Sequence, residues 1–119
     1  MIKFRAWYMP FRKYGAMQEM VYSRASHILA LAETEPEKYI PEQFTGLKDV
    51  NGKDIYEGDI IKSNYKYAQP KISQIIMENG NSYIAGEDLA TGNEMLVSDH
   101  VEEIEVIGNV HENPELLKG

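Results

Sequence analysis

Near the start of the chain, apolar and charged residues alternate in a pattern typical of a β-strand with one solvated face. The alternation covers residues 2–8 and stops at Pro10, because a proline cannot donate a hydrogen bond to a neighbouring strand. Residues 12–15 are predicted to form a turn, and residues 17–22 a returning strand. The N-terminal part is therefore expected to be a β-hairpin.

Residues 26–33 hold the best helix candidate in the chain. Apolar side chains at i, i+1 and i+4 favour a helix, with Ser26 as its N-cap. The alternation of His27, Leu29 and Leu31 fits a strand nearly as well, so both structures remain open. Residues 34–43 carry prolines among glutamates and are predicted to form a loop.

From residue 44 onward the pattern is one of short strands and tight turns. Asn51 and Gly52 predict a type I′ hairpin turn, in which both residues take φ > 0. Gly58 offers the same freedom just before Asp59, which is expected to brace the turn. The predicted strands cover residues 60–62, 72–77, 83–87, 95–97 and 104–110, with turns at 79–82 and 90–93 and a single 3₁₀ turn at 98–101.

This succession of elements determines the predicted fold class, which is mainly β (α+β). Short strands with a 3₁₀ turn before the last one resemble an SH3-like barrel. Strands of such barrels often begin with a Gly-Asp-apolar step, which Gly58, Asp59 and Ile60 resemble. We expect an N-terminal β-hairpin and loop segment over residues 1–43 and an SH3-like β-barrel over residues 44–119, together in one compact unit.

Three stretches of the sequence resemble a known family. IKFRAW at the start, FTGLKDVNGKDIYEGDIIK in the centre and EVIGNVHENPEL near the end are similar to the YopX family of small proteins from phages and prophages of Gram-positive bacteria. That family has no established biochemical activity, so the resemblance implies a fold and a phage context but no reaction. It also favours a strand over residues 26–33.

The tip of the predicted hairpin departs from this family. Tyr8, Met9, Pro10 and Phe11 stand where the family usually has a polar, charged turn. Apolar residues at an exposed tip are costly in water, so we expect another subunit to cover them.

Composition places the chain among ordinary globular proteins. Its 119 residues, 43% hydrophobic and 26% charged, suffice for one modest core. The absence of cysteine excludes disulfides, thiolate nucleophiles and cysteine zinc sites. No apolar run approaches the ~20 residues of a membrane helix, and the start does not read as a signal peptide. We therefore expect a protein of the host-cell cytoplasm that does not contact membranes.

The net charge of −7 is unevenly distributed. Residues 1–24 carry a net charge of +4 and residues 25–119 a net charge of −11. The basic segment packs beside the acidic body of its own molecule, meets the acidic body of a neighbouring subunit, or contacts nucleic acid. The overall acidity argues against the third alternative, because phosphate binding needs a concentrated positive face. Binding of duplex DNA is therefore not expected.

The residues able to carry chemistry form no recognisable catalytic or metal-binding motif. After Asp49, glycine arrives too early for a calcium loop of the EF-hand type, and residues 46–53 fail the spacing of a phosphate-binding loop. The histidines are too widely separated for a metal motif. We predict no catalytic residue, cofactor or metal, and the rival hypothesis is an enzyme with a site around Asp54, Glu57 and Asp59.

Aromatic residues provide the candidate interaction surface. Tyrosines alternate with Lys62, Lys66 and Lys71 in the predicted barrel, a combination that suits a protein interface or a face that stacks the bases of a single strand. The predicted surface consists of Met9, Phe11, Tyr56, Tyr65, Tyr67 and Tyr83. The sequence thus favours a non-enzymatic phage accessory protein that self-associates and binds a host or phage protein. The alternative is a binder of single-stranded nucleic acid or nucleoprotein through the Tyr/Lys face.

Overall fold

The computed structural model describes residues 3–10, 18–64, 70–85 and 95–118. The chain divides into two compact units, Met1–Phe44 and Thr45–Gly119. The described residues are mainly β, in two antiparallel sheets with one short α-helix and two 3₁₀ segments. The strands are β1 (Lys3–Tyr8), β2 (Glu19–Arg24), β3 (Tyr39–Lys48), β4 (Asp54–Tyr56), β5 (Asp59–Ser63), β6 (Lys71–Glu78), β7 (Asn81–Ile84), β8 (Met95–Leu96) and β9 (Ile104–Asn109).

Some predicted features lie outside the described residues. They are the turns at 12–15 and 90–93, the first residue of the predicted strand 17–22, the end of the predicted strand 83–87, and the side chains of Phe11, Tyr65, Lys66 and Tyr67.

In the first unit, β1 and β2 form the predicted antiparallel hairpin, with Lys3 opposite Arg24 and Tyr8 opposite Glu19. β3 pairs antiparallel with the other side of β1. Helix α1 (Ala25–Thr34) packs against both strands of the hairpin and buries Ile28 completely. Trp7, whose indole nitrogen donates to Gln18 Oε1 over 3.0 Å, adds to this small core.

The structure resolves the alternatives for residues 26–33 in favour of a helix, but Ser26 is not its N-cap. The helix begins at Ala25, directly after β2, so the capping position belongs to Arg24, which makes no side-chain cap. Ser26 lies within the first turn. Direct succession of strand and helix leaves no loop residue in which a serine could cap, and the hydroxyl of Ser23 instead lies 2.8 Å from His27 Nδ1.

The prediction of a loop over residues 34–43 is wrong for its second half. The loop is confined to residues 35–38, and β3 begins at Tyr39. Pro41 lies opposite Ala6 in the register of β1 and β3. A proline is tolerated in a strand where its missing N–H is not needed for pairing, and here burial of Glu42 against Arg5 favours the extended conformation.

In the second unit the strand order is β8-β7-β6-β5-β9, and all five strands were predicted to within a few residues. The 3₁₀ turn before the last strand spans Val97–Asp99, so Val97 belongs to the turn and not to a strand. The second 3₁₀ segment is Pro114–Lys118. The pairing of β5 with β9 contains an irregularity between Ile60 and Ile61. The sequence did not predict β4, which follows β3 in the order β2-β1-β3-β4 of the other sheet.

The core of the second unit is aliphatic. Each of its buried side chains contributes about 1.5–3 kcal/mol by leaving water. Leu47, Val101 and Val106 pack against it while remaining partly exposed. Its fully buried members are Ile55, Ile61, Ile75, Ile84, Val97 and Ile104. None of the helices in the described part of the chain is long and apolar enough to cross a membrane.

Candidate interaction surfaces

Asp49 is a structural residue of the central turn. Its Oδ1 accepts hydrogen bonds from the backbone N–H groups of Asn51 and Lys53, each over 2.9 Å. Its Oδ2 accepts a third bond, over 2.8 Å, from the backbone N–H of Val106 in β9. The buried carboxylate therefore ties the turn to the last strand, in keeping with its expected role in a turn.

The type I′ turn predicted at Asn51 and Gly52 is wrong. Gly52 has φ +80°, but among the described residues Asn79 is the one non-glycine residue with positive φ. The Asp49 N–H donates to the carbonyl oxygen of Lys53, and the Lys53 N–H donates to Asp49 Oδ1, so the two residues close a three-residue loop with glycine in its last position. Successive positive φ values occur instead at Asn79 (φ 51°) and Gly80 (φ 83°), which connect β6 and β7.

Gly58 and Asp59 form the second turn as the sequence predicted. Gly58 has φ +85°, and its N–H donates to the carbonyl oxygen of Ile75 over 2.9 Å. The buried Asp59 accepts a hydrogen bond over 2.7 Å from the backbone N–H of Tyr56 through Oδ2. This carboxylate braces the turn at the start of β5.

Two further pairs of titratable side chains lie close together. Asp54 Oδ1 lies 3.4 Å from Lys48 Nζ, and His100 Nδ1 lies 3.1 Å from Glu103 Oε2. No three His, Asp or Glu side chains converge into a metal site within the described ranges. Desolvation raises the pKa of Tyr39 above its usual range, and Tyr8, stacked on it at 4.9 Å between ring centroids, adds to this increase.

Three members of the predicted aromatic surface, Met9, Tyr56 and Tyr83, lie in the described part of the chain. Tyr56 is buried and cannot offer its ring to a partner, because β4 carries it into the interior. Met9 is half-buried, and its backbone N–H donates to the carbonyl oxygen of Lys38 over 2.7 Å. Tyr83 is half-buried on β7, while Phe11, Tyr65 and Tyr67 lie outside the described residues. Among the tyrosines of the Tyr/Lys face that the structure describes, Tyr83 is therefore the one that is partly exposed.

The strand register instead places aliphatic side chains around Tyr83. Paired residues share a sheet face, and Ile75 opposite Ile84 belongs to the core. The next residues along, Ile76 opposite Tyr83, therefore occupy the other face, and Leu96 lies opposite Tyr83 on β8. We call Ile72, Ile76, Tyr83 and Leu96 the outer sheet face.

The outer sheet face is accessible but not basic. Ile72 is 40% exposed and Leu96 39% exposed. Lys62 lies opposite Ile72 on this face, whereas Lys71 is opposite Ser63 and belongs to the core-facing side. Sequence reasoning missed this surface. The signal was present in the run KISQIIME, where isoleucines occupy both alternating registers of one strand.

A second exposed surface lies on the hairpin, and we call Lys3, Tyr22 and Arg24 the hairpin patch. Lys3 is opposite Arg24, and Tyr22 is opposite Arg5, so all of them share one face. Arg5 is buried and bonds Glu42 Oε1 over 2.9 Å, whereas Tyr22 is 61% exposed and Arg24 is exposed. Lys3 Nζ lies 4.8 Å from the ring centroid of Phe44.

An acidic surface lies in the second unit, and we call Asp99, Glu102 and Glu103 the acidic segment. Asp99 and Glu102 are exposed, and a depression of about 260 Å³ is lined by residues 98–103. The backbone is held by hydrogen bonds from His100 N–H to the carbonyl oxygen of Val97 and from Glu103 N–H to that of His100, both 2.9 Å. These hydrogen bonds therefore fix the backbone that carries the acidic side chains.

The chain is similar to known proteins in both sequence and fold. A family model described as YopX protein matches residues 3–118. The crystal structure of protein EF1440 from Enterococcus faecalis is similar, with a TM-score of 0.58 and 25% sequence identity over 98% of both chains. No curated protein matches the chain.

Proposed function

The chain belongs to the YopX family, and we propose that it is a non-enzymatic, self-associating binding module of a phage or prophage that acts in the host cytoplasm. The outer sheet face carries this proposal. Ile76, Tyr83 and Leu96 form a row across three adjacent strands, and Ile72 lies four residues from Ile76 on the same face of β6. Ile72 and Leu96 are more than a third exposed. Apolar patches with a polar rim are typical of protein interaction sites.

A finer description of the fold belongs to the same proposal. The order β8-β7-β6-β5-β9, with the 3₁₀ turn at Val97–Asp99 before the last strand, supports an SH3-like barrel for the second unit. In such a barrel the inner face of the sheet is filled by the aliphatic core. Binding would then depend on side chains that face outward.

Two of the three acidic residues of the rival enzymatic hypothesis have structural tasks that support a non-enzymatic role. Asp59 is buried and accepts the backbone N–H of Tyr56, and Asp54 lies beside Lys48. A general base must reach a substrate proton within hydrogen-bond distance. A buried carboxylate that already holds a turn is poorly placed for that task.

The outer sheet face favours a protein partner over a nucleic acid. Its exposed members are aliphatic, and a single-strand binder instead combines stacking aromatic rings with a positively charged groove. Lys62 is the lysine that shares this face in the described pairs of β5 and β6. We therefore infer that the partner is a host or phage protein with an apolar contact surface.

The test compares two matched double variants. Ile72→Gln with Leu96→Gln removes the exposed aliphatic groups of the outer sheet face. Leu29→Gln with Val50→Gln removes two groups that are 45% and 57% exposed elsewhere. Both variants should melt within a few degrees of the wild type, because surface substitutions usually change stability little.

The readout is affinity capture from lysogenic host cells followed by mass spectrometry, with binding of the captured protein then measured in purified form. We expect the outer-face variant to lose the partner and the control variant to retain it. Equal binding by both variants would refute the role of the outer sheet face. Salt-sensitive binding of single-stranded oligonucleotides, measured by fluorescence anisotropy, would favour the nucleic-acid alternative.

A further inference from the structure

We propose that copies of this chain associate head to tail, with the hairpin patch of one copy docked on the acidic segment of the next. The inference rests on the self-association in the proposed function and names the two surfaces that carry it. Lys3, Tyr22 and Arg24 form one surface, and Asp99, Glu102 and Glu103 form the other.

The hairpin patch is a positive, aromatic surface on an acidic protein. Cross-strand pairing holds Lys3 directly opposite Arg24, although like charges in this position repel each other. An acidic partner surface would therefore meet two basic side chains on this face. Tyr22, exposed beside them, offers a broad contact surface and a hydroxyl group.

The acidic segment has the complementary properties. Asp99 and Glu102 extend from a short turn whose backbone hydrogen bonds are satisfied within the unit. A third bond, from Asn64 N–H to the carbonyl oxygen of Glu103 over 2.8 Å, attaches the segment to the end of β5. Asp99 and Glu102 are exposed carboxylates beside a depression, next to Glu103, which is paired with His100. They form a negative surface that can accept an arginine and a tyrosine.

Charge complementarity identifies the occupant as a second copy. Residues 1–24 carry a net charge of +4, and the whole of Met1–Phe44, with six basic and five acidic residues, a net charge of +1. Thr45–Gly119 holds six basic and 14 acidic residues and has a net charge of −8. Opposite potentials increase the rate of encounter and determine orientation. Because two different surfaces meet, the contact is heterologous, and it closes into a ring or continues as a chain of copies.

The experiment measures the mass of the purified full chain by light scattering behind a sizing column, from low micromolar to tens of micromolar and at several salt concentrations. The wild type should exceed the 13.6 kDa monomer and dissociate as salt rises, because the contact is electrostatic. Arg24→Glu and Glu102→Arg should each weaken association about tenfold. Lys53→Glu and Glu112→Arg make the same charge changes at other exposed positions and should not weaken it.

Two combinations make the test specific for this contact. An equimolar mixture of the Arg24→Glu and Glu102→Arg chains should recover association, because the unaltered patch of one chain meets the unaltered segment of the other. The double variant Arg24→Glu with Glu102→Arg should recover association through exchanged charges. Failure of both combinations would refute the proposed pairing.

The outcomes separate this inference from the proposed function. A wild-type monomer at low salt and tens of micromolar would refute both the pairing and self-association. Association that persists in the Arg24→Glu and Glu102→Arg variants but is lost with Ile72→Gln and Leu96→Gln would refute the head-to-tail contact alone. The proposed binding role of the outer sheet face would then remain.

Discussion

At the scale of single residues, the central turn depends on one carboxylate. Asp49 is buried and accepts three backbone hydrogen bonds, one of them from Val106, which lies 57 positions away in the sequence. Hydrogen bonds to charged groups contribute about 1.5–3 kcal/mol each in favourable settings, and donors left without a partner cost more.

We predict that Asp49→Ala lowers the free energy of unfolding by about 3 kcal/mol or more, because three backbone donors lose their acceptor. Asp49→Asn should lower the free energy of unfolding by an intermediate amount, because its side-chain amide N–H₂ replaces one acceptor oxygen and faces a backbone N–H. Urea denaturation measures both changes. Asp99→Asn, at an exposed position, is the control and should change stability by less than about 0.5 kcal/mol.

For Ser63, on the core-facing side of β5, we predict that loss of the side-chain oxygen does not destabilise the protein. Its side chain is fully buried, and within the described residues its Oγ has no hydrogen-bond partner. Ser63→Ala should therefore leave the free energy of unfolding unchanged or raise it by up to about 1 kcal/mol. Ser73→Ala is the matched comparison, since Ser73 is a buried serine that makes an interaction, and it should be destabilising. A marked loss of stability in Ser63→Ala would show that this hydroxyl is bonded.

At the scale of elements, turns rather than strand propensities determine where the short strands begin and end. The loop between β3 and β4 closes because Gly52 takes φ +80°. A Cβ built on Gly52 meets nothing within 4 Å, so a substitution there tests the backbone conformation without a packing change.

We predict that Gly52→Val lowers the free energy of unfolding by about 1–3 kcal/mol, because a β-branched residue is strained at positive φ. Gly52→Asn should recover most of that loss, since asparagine tolerates the left-handed region. Thermal denaturation compares the two variants. Equal melting temperatures for the valine and asparagine variants would contradict the turn geometry.

At the scale of the whole molecule, the distribution of charge limits the possible partners. The chain has 12 basic and 19 acidic residues, and five of the basic ones lie in residues 1–24. Arg5 is already buried against Glu42. The affinity of a protein for DNA through counterion release increases with the number of phosphates that it neutralises.

We predict no appreciable binding of duplex DNA at physiological salt, because carboxylates repel phosphates within a Debye length of about 8 Å. Fluorescence anisotropy with a labelled duplex across a salt series is the measurement. Micromolar binding that weakens steeply with salt would contradict the prediction. The Glu112→Arg chain is a useful control, since one added positive charge should not create such binding.

The sequence predicted the mainly β class, the N-terminal hairpin, strands β5 to β9 of the second unit and the family. These follow from local alternation, from turn residues and from motifs that are contiguous in the chain. It also predicted a positive φ for Gly58, because a glycine between short β segments typically provides a backbone conformation that other residues avoid.

Only the tertiary structure decided the features that depend on distant residues. Residues 39–43 form a strand because β1 offers a partner and buries Glu42 against Arg5, although Pro41 and the surrounding glutamates of residues 34–43 indicate a loop. Ile72 is exposed because the register of β5 and β6 places it on the face opposite the core. Tyr56 and its neighbour Ile55 are both buried, which alternation along β4 does not predict. The hairpin patch likewise forms because Lys3 pairs with Arg24, 21 positions later in the chain, and no local sequence pattern predicts this pairing. Local signals therefore determine which elements form, and long-range pairing determines which side chains those elements expose.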